Sequence, residues 1–494
     1  MSFPYLSTIV FLPVIGAIVI ALLPRANPRR IKLTAAAFTA VSFVLSLAVL
    51  FMFDRGLAGP QFVEQASWIP AINVQYFLGI DGLSLPLLLL TTLIGFIAVL
   101  VSWKIDLRVR EYFAWILLLE TGILGVFCSL DLVLFFIFWE VEIIPMYLLI
   151  SIWGSGRKEY SAIKFVLYTL AGSAMMLAGI LLLYFQAGTF NMVTLAGMGL
   201  DSILSSLMAT AIFFLILFAF AVKLPVFPFH TWLPDAHTDA PTAVSVILAG
   251  ILIKMGGYGM LRVCVSIFPE TAQNYAPLLI ALAVVGILYG AAVTLRQTDL
   301  KRLIAYSSIS HMGFVLLGIF ALSQVSMTGA TLQMVSHGLV TGLLFAMVGL
   351  VYEKTHERSI PKLGGLARQM PVIVVVFSVA GLAALGLPGT SGFAAEFLTF
   401  LGSFNSTVVP GIEVYTIVGI LGVVLGAGYI LWMLKRVFYG PPKEQYDGVP
   451  DADRREKIYT FALVALIMLI GIYPALLTDV IKTGVSPILA ALGL

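Results

Sequence analysis

The chain has 494 residues, of which 60% are hydrophobic and 11% charged, with a formal net charge of +3 and a mean hydropathy of +1.05. That composition excludes an ordinary soluble domain, and no nucleic-acid partner is expected. Cys128 and Cys264 stand alone, with no Cys-x-x-Cys or Cys/His grouping, so no disulfide framework, zinc site or iron–sulfur centre is expected in this chain.

A bilayer core of about 30 Å takes roughly 20 apolar residues per helix. Apolar runs of that length recur near 5–24, 31–53, 80–103, 110–129, 131–153, 160–187, 204–230, 240–264, 276–296, 302–323, 326–352, 371–401, 411–436 and 456–485. Such long runs exclude the alternation of a β-barrel, and they predict an all-α polytopic membrane protein of about 14 helices. The N-terminus lacks the basic stretch of a cleavable signal and runs straight into an apolar segment, so it reads as a retained first span.

If the spans alternate in direction, the basic clusters around Arg25 to Lys32, Lys104 to Arg110, Arg157 and Lys158, Arg296 to Arg302, Lys354 to Arg368 and Lys435 to Lys457 all fall on one side. Of the 28 basic residues, only Arg55, Arg262 and Lys482 fall opposite, and Lys164, Lys223 and Lys254 fall within spans. The positive-inside rule makes the basic side cytoplasmic and puts both termini on the other face.

Two spans contain prolines that break them. The seventh carries Lys223-Leu224-Pro225 and then Pro228, and the twelfth carries LGLPGTSGFAAEF around Pro388 and Gly389. Freed backbone groups at membrane depth are tolerated only where protein or a water-filled cavity satisfies them, so these breaks mark sites. They lie five spans apart, which predicts two inverted five-helix repeats. The predicted organisation is 1–108 for spans one to three, 109–265 for the first repeat, 266–440 for the second, and 441–494 for the C-terminal loop and last span.

Helical rise of about 1.5 Å per residue converts spacing into depth. Lys223 is nine residues before Trp232, taken as an interfacial residue, and Glu140 is nine after Asp131; each is then roughly 13 Å into its span. Lys254 is fourteen residues after Ala240 and eight before Arg262, His311 is nine beyond Arg302, and His337 is eleven into its span. Glu396 follows the second break. The set Glu140, Lys223, Lys254, His311, His337 and Glu396 therefore reads as a lateral file across the bilayer rather than one compact site. The blander readings are a purely structural Glu140–Lys223 pair and histidines that merely satisfy hydrogen bonds. Glu142, two residues from Glu140, points to another helix face, and Glu120 has no obvious partner. Lys164 is near enough the basic face to snorkel. Asp235, His237 and Asp239 read as loop and cap residues beside a possible proton entrance.

Burial disfavours the charged forms of lysine and glutamate, bringing both toward exchange at working pH. An adjacent carboxylate restores the lysine's charge, with an attraction of about 4 kcal/mol at 4 Å and an effective dielectric near 20. Making or breaking a Glu140–Lys223 pair is then a switch, with the proton passing toward Lys254 and Glu396.

The stretches FFIFWEVEIIPMYLLISIWG (135–154), KLPVFPFHTWLPDAHTDAPTAVSVILAGILIKMGGYGMLR (223–262), LKRLIAYSSISHMGF (300–314), LPGTSGFAAEF (387–397) and LGIDGLSLPLLLLTT (78–92) resemble the subunit M, or chain 4, family of NADH:quinone oxidoreductase, respiratory complex I. The resemblance runs essentially the full length. It implies an antiporter-like, proton-pumping subunit of the membrane arm with a fourteen-helix inverted-repeat fold, working beside other antiporter-like subunits. It further implies that Glu140 pairs with the broken-helix lysine Lys223, that Lys254 is the central-axis lysine, that His311 and His337 link the halves, and that Glu396 is the exit acid. NAD(P)H or ferredoxin, FMN, iron–sulfur clusters and quinone would be handled by partner subunits, in a bacterial inner membrane or its equivalent. The alternatives are a subunit of an Mrp-type cation/proton antiporter and an inert scaffold.

Overall fold

The computed structural model describes residues 3–24 and 27–493. Arg25, counted above on the basic side, lies outside them. The chain is helical nearly throughout, and twelve of the described helices are long and apolar enough to cross a membrane. One bent pair of helices would make thirteen if counted as one span, and the expected run 371–401 is divided. Arg454–Ile472 and Ala475–Ala491 form a pair bent by 69°, and Pro371–Ala384 and Ser391–Phe404 are two short helices separated by the Pro388 loop. One element was not expected: an antiparallel hairpin of Gln61–Ile69 and Val74–Ile80, between the second and third spans.

The breaks follow backbone chemistry. Ser206–Lys223 ends two residues before Pro225, as a missing N–H requires. The freed carbonyls find other donors: Val226 N–H binds Ala221 O at 2.9 Å, and the Trp232 indole N–H binds Val222 O at 2.9 Å. Trp232 is thus fully buried and braces the break, rather than marking the membrane surface as expected. The segment then resumes as Trp232–Asp239.

The fifth span, expected to be continuous, is Leu132–Val141 and Ile143–Trp153 with a kink at Glu142. Pro145 cannot donate to the Val141 carbonyl four residues back, which places the kink there. The eighth span also departs from regular α-helix, with π-helical turns at Leu248–Leu252 and Met260–Val265 on either side of Lys254. In the twelfth span, Gly386 and Gly389 both take positive φ (77° and 90°), so the loop between the half-helices needs glycine at each.

Burial sorts the spans. The central turns of Thr242–Val265 and Gln324–Thr355 are wholly buried and those of Leu300–Phe320 almost so, while Tyr5–Leu22 and Pro28–Met52 are largely open to the surroundings. Intramembrane charges belong on the enclosed spans, where protein rather than lipid surrounds them.

Candidate functional site: charged groups at mid-membrane depth

Asp131 begins the fifth span by accepting from the backbone N–H groups of Val133 and Leu134 at 2.9 and 3.2 Å. The kink then holds Glu142 at the middle of the 22-residue segment Leu132–Trp153. Gly122 of the fourth span makes room there: a Cβ at that position would lie 3.2 Å from the Glu142 nitrogen.

Lys223, the last residue of its helix, forms an ion pair with Glu142 Oε1, with both side chains buried. Its ammonium also lies 5.3 Å from the centre of the Trp139 ring and 5.6 Å from that of Phe165. The expected partner, Glu140, does not make this pair. Residues two apart on a helix point to different faces, and Glu142, where the helix is interrupted, is the one that is fully buried. Glu140 is half-buried near the exposed Ile137, Ile144 and Tyr147, with its Oε1 buried and without a hydrogen-bond partner among the described residues.

Lys254 sits at the middle of the 24-residue span Thr242–Val265 and is fully buried. Its ammonium donates to the Ala249 carbonyl, inside the first π-helical turn, and lies 2.7 Å from His337 Nδ1. The His337 and His311 rings follow at 5.4 Å between centroids. His311 Nδ1 faces the Ser307 carbonyl at 2.8 Å and Nε2 the Ala384 carbonyl at 2.9 Å. A neutral imidazole can donate to one of these, a protonated one to both. Glu396 Oε1 is 3.7 Å from His311 Nε2. A cavity of about 10 Å³ touches His311, His337, Gln333, Ser336 and Glu396, roughly the space of one water.

Five of the six expected residues thus lie in two groups: Lys223 with its acid, and Lys254, His337, His311 and Glu396 in continuous succession. No hydrogen bond joins the two groups among the described residues.

Sequence reasoning missed His230 and gave less weight to several other residues than their places in the structure do. Glu142 was set aside for Glu140. His230 and His237 are buried with no hydrogen-bond partner at either ring nitrogen; His230 packs 5.6 Å from Phe227 and 4.9 Å from Tyr289, and His237 stacks on Phe345 at 4.4 Å. Their spacing, seven and fourteen residues after Lys223, was the available signal. Lys164 is not a free snorkelling side chain; it pairs with Asp235 at 2.7 Å, and Arg302 stands 3.7 Å from the other carboxylate oxygen. Asp239 accepts from Ser161 Oγ at 2.6 Å.

Residues 129–423 match the family model described as NADH:quinone oxidoreductase/Mrp antiporter, TM. The chain is 42% identical to NADH-quinone oxidoreductase subunit M of Rhodobacter capsulatus, covering 97% of this chain and 95% of that one. Among solved structures it resembles a chain of respiratory complex I from Thermus thermophilus with bound NADH, at TM-score 0.89 and 29% identity over 99% of this chain and 100% of that one. A chain of the Mrp complex from Dietzia shares the fold at TM-score 0.86, with 21% identity over 99% of this chain and 100% of that one. The chain belongs to the subunit M, or chain 4, family of antiporter-like membrane subunits of NADH-quinone oxidoreductase.

Proposed function

We propose that this chain moves protons across the membrane through the mid-depth groups Lys223, Glu142, Lys254, His337, His311 and Glu396, with the half-buried Glu140 as a further acid beside them. Electron transfer from NAD(P)H to quinone, with the FMN and iron–sulfur chemistry it requires, takes place in partner subunits. The observation that carries the reading is the buried Lys223–Glu142 pair at a helix break, at the depth where Lys254, His337, His311 and Glu396 follow one another.

The paired state holds the proton on Lys223, because the carboxylate offsets the cost of a buried ammonium. Neutralising or withdrawing Glu142 removes that offset and releases the proton toward Lys254. From Lys254 the imidazoles of His337 and His311 offer a route to Glu396 at the second break. Lys164 and Asp235 stand on the basic side of the first break, where a proton would enter.

The two breaks support the reading of 109–265 and 266–440 as inverted repeats, with 1–108 and 441–494 flanking them. The basic loops favour a cytoplasmic placement for their side and a non-cytoplasmic one for both termini.

The test is purification of the intact assembly with a Lys254→Met variant beside the parent. The expected result is co-purifying quinone-reducing and iron–sulfur-bearing chains, and loss of uncoupler-sensitive proton uptake in the variant. Co-purification with antiporter chains alone would support the Mrp-type reading instead.

A further inference from the structure

Glu120 takes no part in the file described above, yet it lies at the middle of the 20-residue span Val109–Cys128 and is 2% exposed. Neither carboxyl oxygen has a hydrogen-bond partner among the described residues. The space it fills is made by a glycine in the third span: a Cβ on Gly95 would come within 2.5 Å of the Glu120 carboxyl carbon and 2.7 Å of both oxygens. A buried polar group without partners costs free energy, and a carboxylate costs more than a neutral acid. A carboxyl so placed is either an uncompensated expense or a group that works in another state.

Lys254 has the complementary deficiency. Its ammonium has a carbonyl and an imidazole as its hydrogen-bond partners and no carboxylate among the described residues. Lys223 is already supplied by Glu142.

Two contacts place the spans that carry the unpartnered acid and the lysine without a carboxylate beside one another. The fourth and eighth spans are tied by the Tyr258 hydroxyl, which donates to the Phe127 carbonyl at 3.3 Å. Both spans run from the basic side, and Lys254 lies four residues before Tyr258 while Glu120 lies seven before Phe127. The two groups therefore differ in level by only about 5 Å. In addition, Ile94, adjacent to the Gly95 that cradles the carboxyl, reaches within 3.0 Å of a Cβ position on Gly250. Gly250 belongs to the π-helical turn whose Ala249 carbonyl binds the Lys254 ammonium.

We propose that Glu120 is the counter-acid of Lys254, exchanging a proton with it through intervening water. The step is a proton transfer alone. The Glu120 O–H bond breaks and an N–H bond forms on the neutral Lys254 amine, leaving a carboxylate and an ammonium on neighbouring spans; the reverse step restores two neutral groups. Glu120 thereby supplies Lys254 with what Glu142 supplies Lys223, and the eighth span is loaded without a permanent charge. The inference rests on the proton-translocation reading above.

The test uses the complete complex in sealed vesicles, comparing Glu120→Gln with the parent, with Gly95→Ala and with Lys223→Ala. Glutamine keeps the size and hydrogen-bonding reach of a neutral acid but cannot give up a proton. The expected result is an assembled Glu120→Gln complex whose pumping per quinone reduced falls by about tenfold, the scale of a lost proton-transfer group. Infrared difference spectra should lose one protonated-carboxyl band in Glu120→Gln, and that band should shift in Lys254→Met. Gly95→Ala, which displaces the carboxyl and changes no charge, should lower pumping in the same direction. Full pumping by Glu120→Gln, or its failure to assemble, overturns the inference. If Lys223→Ala also pumps fully, the translocation reading fails with it; if Lys223→Ala is inactive, only the role of Glu120 fails.

Discussion

Lys223 pairs with Glu142, while Glu140, two residues earlier on the same span, is half-buried and makes no ion pair among the described residues. One lysine thus has a fully buried acid that holds its charge and a second, half-buried acid close by in sequence. Removing one partner of a buried ion pair typically costs about 3–5 kcal/mol, because the other charge is left uncompensated. Glu142→Gln is expected to lower the thermal stability of the complex and abolish most pumping. Glu140→Gln should leave stability close to the parent. Thermal unfolding of the two variants side by side checks this, and equal destabilisation would mean that both acids hold Lys223.

The second half of the file turns on the approach of Glu396 to His311 at 3.7 Å. Gly386 lies directly beneath that carboxylate: a Cβ there would come within 2.6 Å of Glu396 Oε2, and the residue holds φ of +77°. Gly386→Ala is therefore expected to push Glu396 away from His311 and strain the loop, at a cost of about 1–3 kcal/mol for the backbone alone. Proton release should slow while quinone binding is unchanged. Pumping rates in vesicles, read beside quinone KM, separate the two effects.

On the basic side, the Lys164–Asp235 pair is partly exposed. Such pairs contribute little stability, typically about 0–1 kcal/mol. Asp235→Asn should leave the melting temperature nearly unchanged and, if the pair stands at the entrance, reduce pumping by a few-fold. A large loss of stability with unchanged pumping would assign the pair a structural role.

One loop outside the spans reports on pH. Backbone N–H donation from Ser359 holds the Glu357 carboxyl below its ordinary range, helped by the Arg358 N–H and by Lys362. A depressed carboxylate contributes stability that is present above its unfolded pKa and is lost as pH falls through the folded value. The parent and Glu357→Gln should therefore differ in loop protection above about pH 4.3, the ordinary glutamate value, and converge well below it. Hydrogen exchange of the Ser359 and Arg358 amides, followed across that window, measures the difference.

Much of this architecture was legible because its causes are local. Prolines after Lys223 and at 388 predict breaks from the missing N–H alone, and Lys254, His311 and His337 follow from position within apolar runs. What the sequence hid depends on geometry at a distance. Choosing between Glu140 and Glu142 required knowing that Pro145 kinks the span at Glu142 rather than a turn away. The π-helical turns around Lys254 leave no signature in an apolar, glycine-bearing run. Trp232 looked interfacial because tryptophan favours interfaces, whereas here its indole satisfies a carbonyl that the Pro225 break sets free. The hairpin of 61–80 fell between two apolar runs and carried too little alternation to stand out.

The most direct measurement is the number of protons translocated per quinone reduced by the assembled complex in sealed vesicles, with Lys223→Ala against the parent. The account predicts an assembled variant in which that ratio falls by the full contribution of this subunit. An unchanged ratio, with quinone reduction intact, would contradict it and leave the chain a scaffold.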